Sequence, residues 1–277
     1  MSKDHADFTN FATAYSLGRS GYPAHLIDML MDDLEIRKND QIVEFGAGTG
    51  LITRELSGKG LSVTALEPNK SMLALAPALP HVRYGEGSFE KSGLPGNSYK
   101  WAIAACAFDY SETKLALTEI HRILQDDGYF TIVTKRLLKD QNSILMDIEH
   151  IVRRYLPKSR IVTPLLPLFR YIPAGWHRFL YKLHATVAHT YLQRSNFAKL
   201  LSTGHFHQKI YHETKDIVSL TKVQYICLWK SRNKTFLASG ERKFGIFIEN
   251  LQHYLDKHAI EHIEMPYMYK AWSVKAR

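Results

Sequence analysis

The sequence predicts an α/β protein in which strands and helices alternate around one doubly wound sheet, and three observations support this prediction. The octet VEFGAGTG, residues 43–50, ends an apolar strand in three glycines, and Leu51–Leu56 continues with apolar residues at helical spacing. A second apolar strand follows at Leu61–Leu66. Two more apolar runs, Tyr99–Phe108 and Tyr129–Thr134, are separated by a helical pattern and a turn signal. Such alternation is typical of doubly wound sheets.

The glycine turn after the first strand indicates a nucleotide-type ligand. Gly46, Gly48 and Gly50 lack a Cβ, so the chain can turn sharply there and bring its backbone against a ligand. The third glycine of the dinucleotide fingerprint would fall at Leu51, and a phosphate-binding loop would need Lys and Ser or Thr where Leu51 and Ile52 stand. Neither diphosphate loop therefore fits.

The same octet resembles motif I of the class I S-adenosyl-L-methionine (SAM) methyltransferases, in which an acidic residue precedes G-x-G-x-G. The layout is similar to the Methyltransferase-11-like, small-molecule type. The segment EPNKSML, residues 67–73, resembles the family's ribose-binding acid and the Met that follows it. A carboxylate at the tip of the second strand can accept hydrogen bonds from both ribose hydroxyls. The resemblance implies a Rossmann-like, seven-stranded sheet with an antiparallel last strand, and SAM as the cofactor.

Later segments extend the resemblance through the first half of the chain and, more loosely, beyond it. The turn at 87–90 is similar to the one that lies beside adenine in the family, and EIHRILQDDGYFTIV, residues 119–133, resembles the lead into strand five. A sixth strand is expected at about 207–212 and the last strand at 263–274. Lys100 departs from the pattern, because the family commonly has Asp at the start of strand four.

The resemblance also implies which residues bind SAM. The backbone of 46–48 would lie against the methionine part, Glu67 would hold the ribose, residues 88–89 would lie by adenine, and a carbonyl near Ala105 would meet the ammonium. The predicted cofactor-binding residues are Tyr15, Arg19, Glu44, Gly46, Ala47, Gly48, Glu67, Pro68, Met72, Ser88, Phe89 and Ala105.

Tyr15 and Arg19 belong to an N-terminal stretch, AYSLGRSGYP, with two interpretations. It resembles a lead-in that folds over the cofactor in many small-molecule methyltransferases, where the Arg can face the SAM carboxylate. The alternative is an exposed helix end.

Composition is consistent with one large core plus an elaboration. The chain has 277 residues, of which 45% are hydrophobic. The start lacks the apolar run of a signal peptide, and no stretch reaches the roughly 18 apolar residues of a membrane span. Two cysteines do not suggest a disulfide scaffold. We therefore expect a soluble, cytoplasmic protein; the sequence indicates no oligomeric state.

The formal net charge of +9 is unevenly placed, since residues 150–212 contain no Asp or Glu. We expect three parts in one integrated domain: residues 1–134 as the N-terminal lid helix and SAM-binding half, 135–204 as an inserted basic helical cap, and 205–277 as the completion of the sheet. The cap's cations are either solvated or recognise an acidic substrate, an anionic polymer or a membrane surface.

Few side chains stand out as candidates for chemistry, and we assign no catalytic residue. Cys106 is predicted to be a core residue of strand four, because a free Cys behaves as a small hydrophobe. A histidine pair near strand six lacks further ligands, so no metal site is predicted. Asp109 either touches substrate or caps the following helix. The candidate substrate residues are Asp109, Tyr110, Arg170, Trp176 and Arg178.

Together these observations predict a SAM-dependent methyltransferase that acts on oxygen or carbon of a small, acidic or amphipathic molecule. Methyl transfer needs a general base only if the nucleophile carries a proton, so the lack of a catalytic dyad does not argue against an enzyme. The alternative is a protein with a SAM-binding fold that binds nucleic acid or an anionic membrane, such as an RNA methyltransferase or an inactive homologue.

Overall fold

The computed structural model describes residues 8–156 and 196–277 of the chain. These residues build a seven-stranded sheet with helices on both faces. The strands are β1 Gln41–Phe45, β2 Ser62–Leu66, β3 Val82–Gly85, β4 Tyr99–Ala105, β5 Leu124–Leu137, β6 Phe206–Thr221 and β7 His262–Ala276. The helices are α1 Ala12–Gly18, α2 Ala24–Asp33, α3 Thr53–Gly58, α4 Lys70–Leu73, α5 Thr113–Ile123, α6 Ser143–Tyr155, α7 Lys222–Lys230, α8 Asn233–Ser239 and α9 Glu241–Lys257.

The strand order is β3-β2-β1-β4-β5-β7-β6. Strand β1 pairs in parallel with β2 and β4, and β7 runs antiparallel to both β5 and β6. This topology confirms the predicted doubly wound sheet and its antiparallel last strand. Because the chain leaves β1 toward one side of the sheet and β4 toward the other, a crevice opens beyond the carboxyl ends of these two neighbours.

One apolar cluster packs on each face of the sheet. The first contains Leu30 of α2, Leu56 of α3 and Phe247 of α9, and the second contains Leu117 of α5 together with Phe130 of β5. A polar chain crosses the sheet interior, because the indole of Trp101 donates a hydrogen bond of 2.8 Å to Thr131, which in turn bonds to Ser273 at 2.8 Å. Buried polar groups paired in this way cost little stability.

Two strands are longer than the sequence predicts. Strand six was expected at about 207–212 and instead spans Phe206–Thr221, and strand five extends beyond Tyr129–Thr134 in both directions. Both form long ladders with β7, and the added residues of β6 alternate between exposed and at least half-buried positions, with Ile217 among the exposed ones. The strands were predicted from runs of apolar residues. This criterion misses residues that join a strand mainly through backbone hydrogen bonds to the neighbouring strand.

The predicted insertion is described only at its edges. Residues 135–137 end β5, α6 follows at Ser143–Tyr155, and residues 196–200 are helical. Arg170, Trp176 and Arg178 lie outside the described residues, so the three-part division of the chain stays a prediction. None of the helices within residues 8–156 and 196–277 combines the length and apolar character needed to cross a bilayer.

Candidate functional site

The glycine turn lies at the carboxyl end of β1. Gly46, Gly48 and Gly50 all have φ in the left-handed region, at +70°, +59° and +78°. A Cβ on Gly46 would lie 2.5 Å from Cβ of Ala107, so the turn also needs the space that glycine leaves. The chain can turn sharply here because glycine adopts this conformation readily, whereas other residues rarely do.

Glu67 follows β2 and ties the glycine turn to the next loop. Its Oε2 accepts a hydrogen bond of 2.9 Å from the backbone N–H of Gly48, and its Oε1 accepts one of 2.8 Å from Asn69. Burial raises the pKa of the Glu67 carboxyl, and these two hydrogen bonds oppose that shift. Asn69 then caps α4 by accepting a hydrogen bond from Met72.

A first cavity of about 360 Å³ opens between this turn, the end of β2, the turn at 87–90 and the end of β4. Its walls contain most of the predicted cofactor-binding residues, namely Tyr15, Arg19, Gly46, Gly48, Glu67, Pro68, Met72, Ser88, Phe89 and Ala105. The wall also includes Tyr110, which had been predicted as a substrate residue, and Cys106 and Ala107. The fold therefore brings together in one cavity residues as far apart in the chain as Phe8 and Tyr110.

Glu44 and Ala47 do not line the first cavity. The Glu44 side chain is only 1% exposed, and its carboxylate accepts a hydrogen bond of 2.6 Å from Thr53 Oγ1. Burial raises the pKa of Glu44 to about 8. Ala47 is buried within the turn. Glu44 thus links the end of β1 to α3. Direct contact of Glu44 or Ala47 with a cofactor stays a prediction.

The N-terminal stretch packs against the body of the protein. The Arg19 guanidinium donates to Ser231 at 3.0 Å and lies 5.1 Å from the centroid of the Tyr15 ring. Helix α1 approaches α7 so closely that a Cβ on Gly18 would lie 2.1 Å from the backbone nitrogen of Leu228. Tyr15 and Arg19 are both half-buried, so the structure does not place them on an exposed helix end.

A second cavity of about 410 Å³ lies beyond the carboxyl ends of β4 and β5 and shares Cys106 and Ala107 with the first. Cationic side chains surround it, and Asp109 is the acid among its described lining residues. The cationic lining residues are Lys135, Arg136, Lys199 and Lys270.

Ion pairs and aromatic rings hold several of these groups in place. Lys199 Nζ lies 3.2 Å from Asp109 Oδ1 and 4.9 Å from the centroid of the Phe108 ring. Lys270 Nζ lies 3.5 Å from Glu213, and burial lowers the pKa of Lys270 to about 8. The second cavity therefore has a positive wall that includes a largely buried lysine.

Cys106 is not a core residue, so that prediction was wrong. Its side chain is exposed, because β4 ends at Ala105 and the chain then turns with φ of +54° at Cys106. The apolar run from Tyr99 to Phe108 concealed this strand end. Cys106 instead lies on the wall that both cavities share.

Asp109 does not cap helix α5, so that interpretation was also wrong. Glu112 is the capping residue, since its carboxylate accepts hydrogen bonds from Lys114 and Leu115. Asp109 instead faces Lys199 at the second cavity. Sequence reasoning missed Lys135, Arg136, Lys199, Lys270 and Trp272 as lining residues. The predicted basic segment, residues 135–204, included the first three, whereas nothing in the sequence pointed to Lys270 or Trp272.

No metal centre is evident in the described part of the chain, where His, Cys, Asp and Glu form no group of three or more suited to a metal ion. His205 stacks on His121 with ring centroids 4.7 Å apart, and His212 lies 3.0 Å from Asp33.

The fold is similar to that of two solved structures described as methyltransferases. A proposed type II methyltransferase from Anaeromyxobacter dehalogenans superposes with a TM-score of 0.54 at 16% identity, covering 94% of this chain and 97% of that one. A proposed methyltransferase from an antibiotic biosynthesis pathway of Anabaena variabilis gives a TM-score of 0.51 at 17% identity, covering 92% and 98%. Both alignments thus extend over more than 90% of this chain.

Residues 43–132 match a family model described as a methyltransferase domain. An uncharacterized methyltransferase of Mycobacterium bovis is 33% identical over 127 residues, which are 46% of this chain and 51% of that protein. Another from Oceanobacillus iheyensis is 27% identical over 105 residues, or 36% and 49% of the two chains. The chain spans about half the length of these curated relatives. Residues 43–132 thus carry the match to the methyltransferase-domain family, which confirms the resemblance over this segment.

Proposed function

We propose that this chain is a SAM-dependent methyltransferase whose first cavity binds SAM and whose second cavity binds a small acidic or amphipathic acceptor. The observation that carries this proposal is the junction of the two cavities at Cys106 and Ala107. A methyl donor and its acceptor must meet in line for the displacement to occur, and two adjoining cavities allow this arrangement.

The residues of the first cavity fit SAM group by group. Each carboxylate oxygen of Glu67 already accepts one backbone N–H and keeps a lone pair for a ribose hydroxyl. Gly46 and Gly48 expose backbone for the methionine part, Arg19 supplies a cation for its carboxylate, and Phe89 supplies an apolar ring for adenine. When bound, SAM supplies a methyl group activated by its sulfonium.

The lining of the second cavity favours an anionic acceptor with an apolar part. Its cationic residues outnumber Asp109 among the described lining, so the local potential attracts a carboxylate or a phosphate. Phe108, Ile132 and Trp272 supply apolar surface on the same walls. A carboxylate acceptor would be methylated without a general base, whereas a hydroxyl or carbon acceptor would need to lose a proton.

The first test is calorimetry with S-adenosylhomocysteine. We expect saturable binding to the folded protein, because this product keeps the adenine, ribose and amino acid groups. An absence of heat at ligand concentrations on the order of millimolar, a range typical of weak cofactor sites, would contradict the cofactor assignment.

The second test identifies the acceptor. The protein is incubated with methyl-labelled SAM and a fractionated metabolite extract, and labelled products are identified by mass spectrometry. We expect a labelled product derived from an acidic or amphipathic molecule; a neutral polar product would contradict the acidic assignment.

The alternative, a polyanion-binding protein, is favoured by the net charge of +9 and the acid-free stretch 150–212. Polyanion binding releases counterions and falls steeply with salt, whereas a small closed cavity responds weakly. Retention on heparin that is lost at modest salt, together with no turnover on metabolite pools, would favour this alternative.

A further inference from the structure

Lys135 links two parts of the chain that are far apart in sequence. It lies near the carboxyl end of β5, and its Nζ donates hydrogen bonds to the backbone carbonyls of Ser20 at 3.0 Å and Gly21 at 3.1 Å, and also contacts the Ser20 hydroxyl. Ser20 and Gly21 directly follow Arg19, which lines the first cavity. A lysine side chain of the sheet therefore meets the N-terminal stretch where that stretch leaves the cavity.

Aromatic rings surround the same nitrogen. The centroids of Tyr267, Tyr269 and Tyr22 lie 4.0, 5.3 and 5.8 Å from Lys135 Nζ. Tyrosine rings attract a cation through their negative faces, and the attraction grows as water is removed. The rings come from β7 and from the N-terminal stretch, so they fix the position of the ammonium from two sides.

Lys135 is therefore not a simple substrate-binding cation, although it borders the second cavity. An ammonium has three donor hydrogens, and Ser20 and Gly21 present three oxygen acceptors to it. A molecule that accepts the methyl group would have to displace one of these three oxygens to bind Lys135 directly.

We infer that Lys135 is a positioning residue of the first cavity: its ammonium holds Ser20 and Gly21, and thereby keeps Tyr15 and Arg19 at the cavity wall. The inference rests on the proposed function, because S-adenosylhomocysteine is the ligand whose affinity reports the position of these two side chains.

The surroundings of Lys135 make this contact sensitive to pH. Burial lowers the pKa of Lys135 to about 7; nearby Arg19 lowers it further, and Cys106 and Asp216 oppose the shift. Lys135 thus carries its proton below about pH 7 and loses it above, which removes the positive charge and one donor hydrogen. The titratable or charged groups that face it are Arg19, Tyr22, Cys106, Asp216, Tyr267 and Tyr269.

The experiment compares the wild type with Lys135→Met and with Lys100→Met. Lys100 is a matched control, because it lies at the start of β4, whereas both cavities lie at the carboxyl end of that strand. Its Nζ is also near an aromatic ring, 5.8 Å from the centroid of Tyr129. At about pH 6, we expect Lys135→Met to weaken S-adenosylhomocysteine binding about tenfold, the effect of one lost charged contact, and Lys100→Met to leave it unchanged. Wild-type affinity should decrease toward about pH 8.5, while Lys135→Met should show no such decrease.

A second measurement needs no ligand. Hydrogen–deuterium exchange of the backbone amides of residues 12–22, compared at one pH, should be faster in Lys135→Met than in the wild type and Lys100→Met. Unchanged exchange and unchanged affinity in a folded Lys135→Met protein would overturn the inference, and so would a wild-type affinity that does not change with pH. If neither the wild type nor the two variants bind S-adenosylhomocysteine, the proposed function fails. The exchange rates alone then decide the role of Lys135.

Discussion

The first and second cavities adjoin, yet they are built in different ways. The first is lined by short segments that follow β1, β2, β3 and β4, among them Glu67 with its two backbone hydrogen bonds, and by the N-terminal stretch. The second is lined mainly by residues of β4, β5 and β7, by residues 106–109 after β4 and by residues 196 and 199, and four of these residues are cationic. A cavity made of turns leaves a motif in the sequence, whereas one made of side chains from distant strands does not.

The difference has a chemical basis. A ligand that is the same for all members of a family can be recognised by glycine turns and a fixed carboxylate, because these groups match constant parts of the ligand. An acceptor that varies must be recognised by side chains at strand ends, where substitutions leave the fold intact. Predictions that separate the two cavities therefore test the proposed roles directly.

The largest expected effect is that of Glu67→Ala on the first cavity. In the proposed binding mode the substitution removes one or two charge-assisted hydrogen bonds to the ribose, about 1.5–3 kcal/mol each, so S-adenosylhomocysteine should bind at least about tenfold more weakly by calorimetry. Glu241→Ala, at the start of α9, is the matched control and should have no effect. Equal affinities of the two variants would mean that Glu67 does not hold the ligand.

The next effect concerns the second cavity alone. Lys270→Met removes a buried cation, so kcat/KM for an acidic acceptor should fall about tenfold, equivalent to about 1.4 kcal/mol, while the affinity for S-adenosylhomocysteine stays the same. Lys275→Met on the same strand is the control, because Lys275 pairs with Asp127 away from both cavities. A parallel loss of cofactor affinity in Lys270→Met would show that the cavities are not separate binding sites.

Gly18→Ala tests how the N-terminal stretch is attached. The added Cβ would collide with the backbone of Leu228, so the free energy of unfolding should fall by about 1–3 kcal/mol, as in other overpacked sites. Gly245→Ala in α9 meets nothing within 4 Å and should raise stability by up to about 1 kcal/mol. Urea titration measures both changes. A Gly18→Ala protein as stable as the wild type would contradict the tight α1–α7 contact.

A further effect is a pH dependence of stability from Glu44. Its pKa rises from 4.5 to about 8 on folding, so its stabilising contribution is complete below about pH 4.5 and is lost as the pH rises toward 8. In this window the free energy of unfolding should fall by at most about 1.4 kcal/mol per pH unit from this group. Glu44→Gln should lack that part of the slope in urea titrations between about pH 5 and 7, and Glu86→Gln, on the surface, should keep it. Identical slopes in all three proteins would mean that Glu44 is ionised in the fold.

The local pattern of the sequence was sufficient to predict strands β1, β2, β4 and β5, and the resemblance to the methyltransferase family implied most residues of the first cavity. Gly46, Gly48 and Glu67 lie within short segments whose composition reflects a turn and a strand end, so their positions follow from local chemistry. Glu44 shows the limit of this approach, because its side chain faces α3 rather than the cavity, and side-chain direction at a strand end depends on where the strand stops pairing.

Tertiary structure alone decided the end of β4, the length of β6 and the composition of the second cavity. Cys106 is exposed because its own backbone adopts a left-handed conformation after β4 ends. Strand β6 is long because it pairs with β7 from Phe206 to Thr221. Lys135, 115 positions after Ser20, meets it only when the N-terminal stretch folds back onto β5. Local composition by itself determined the turns that form the first cavity, whereas pairing between distant segments determined which cations gather at the second.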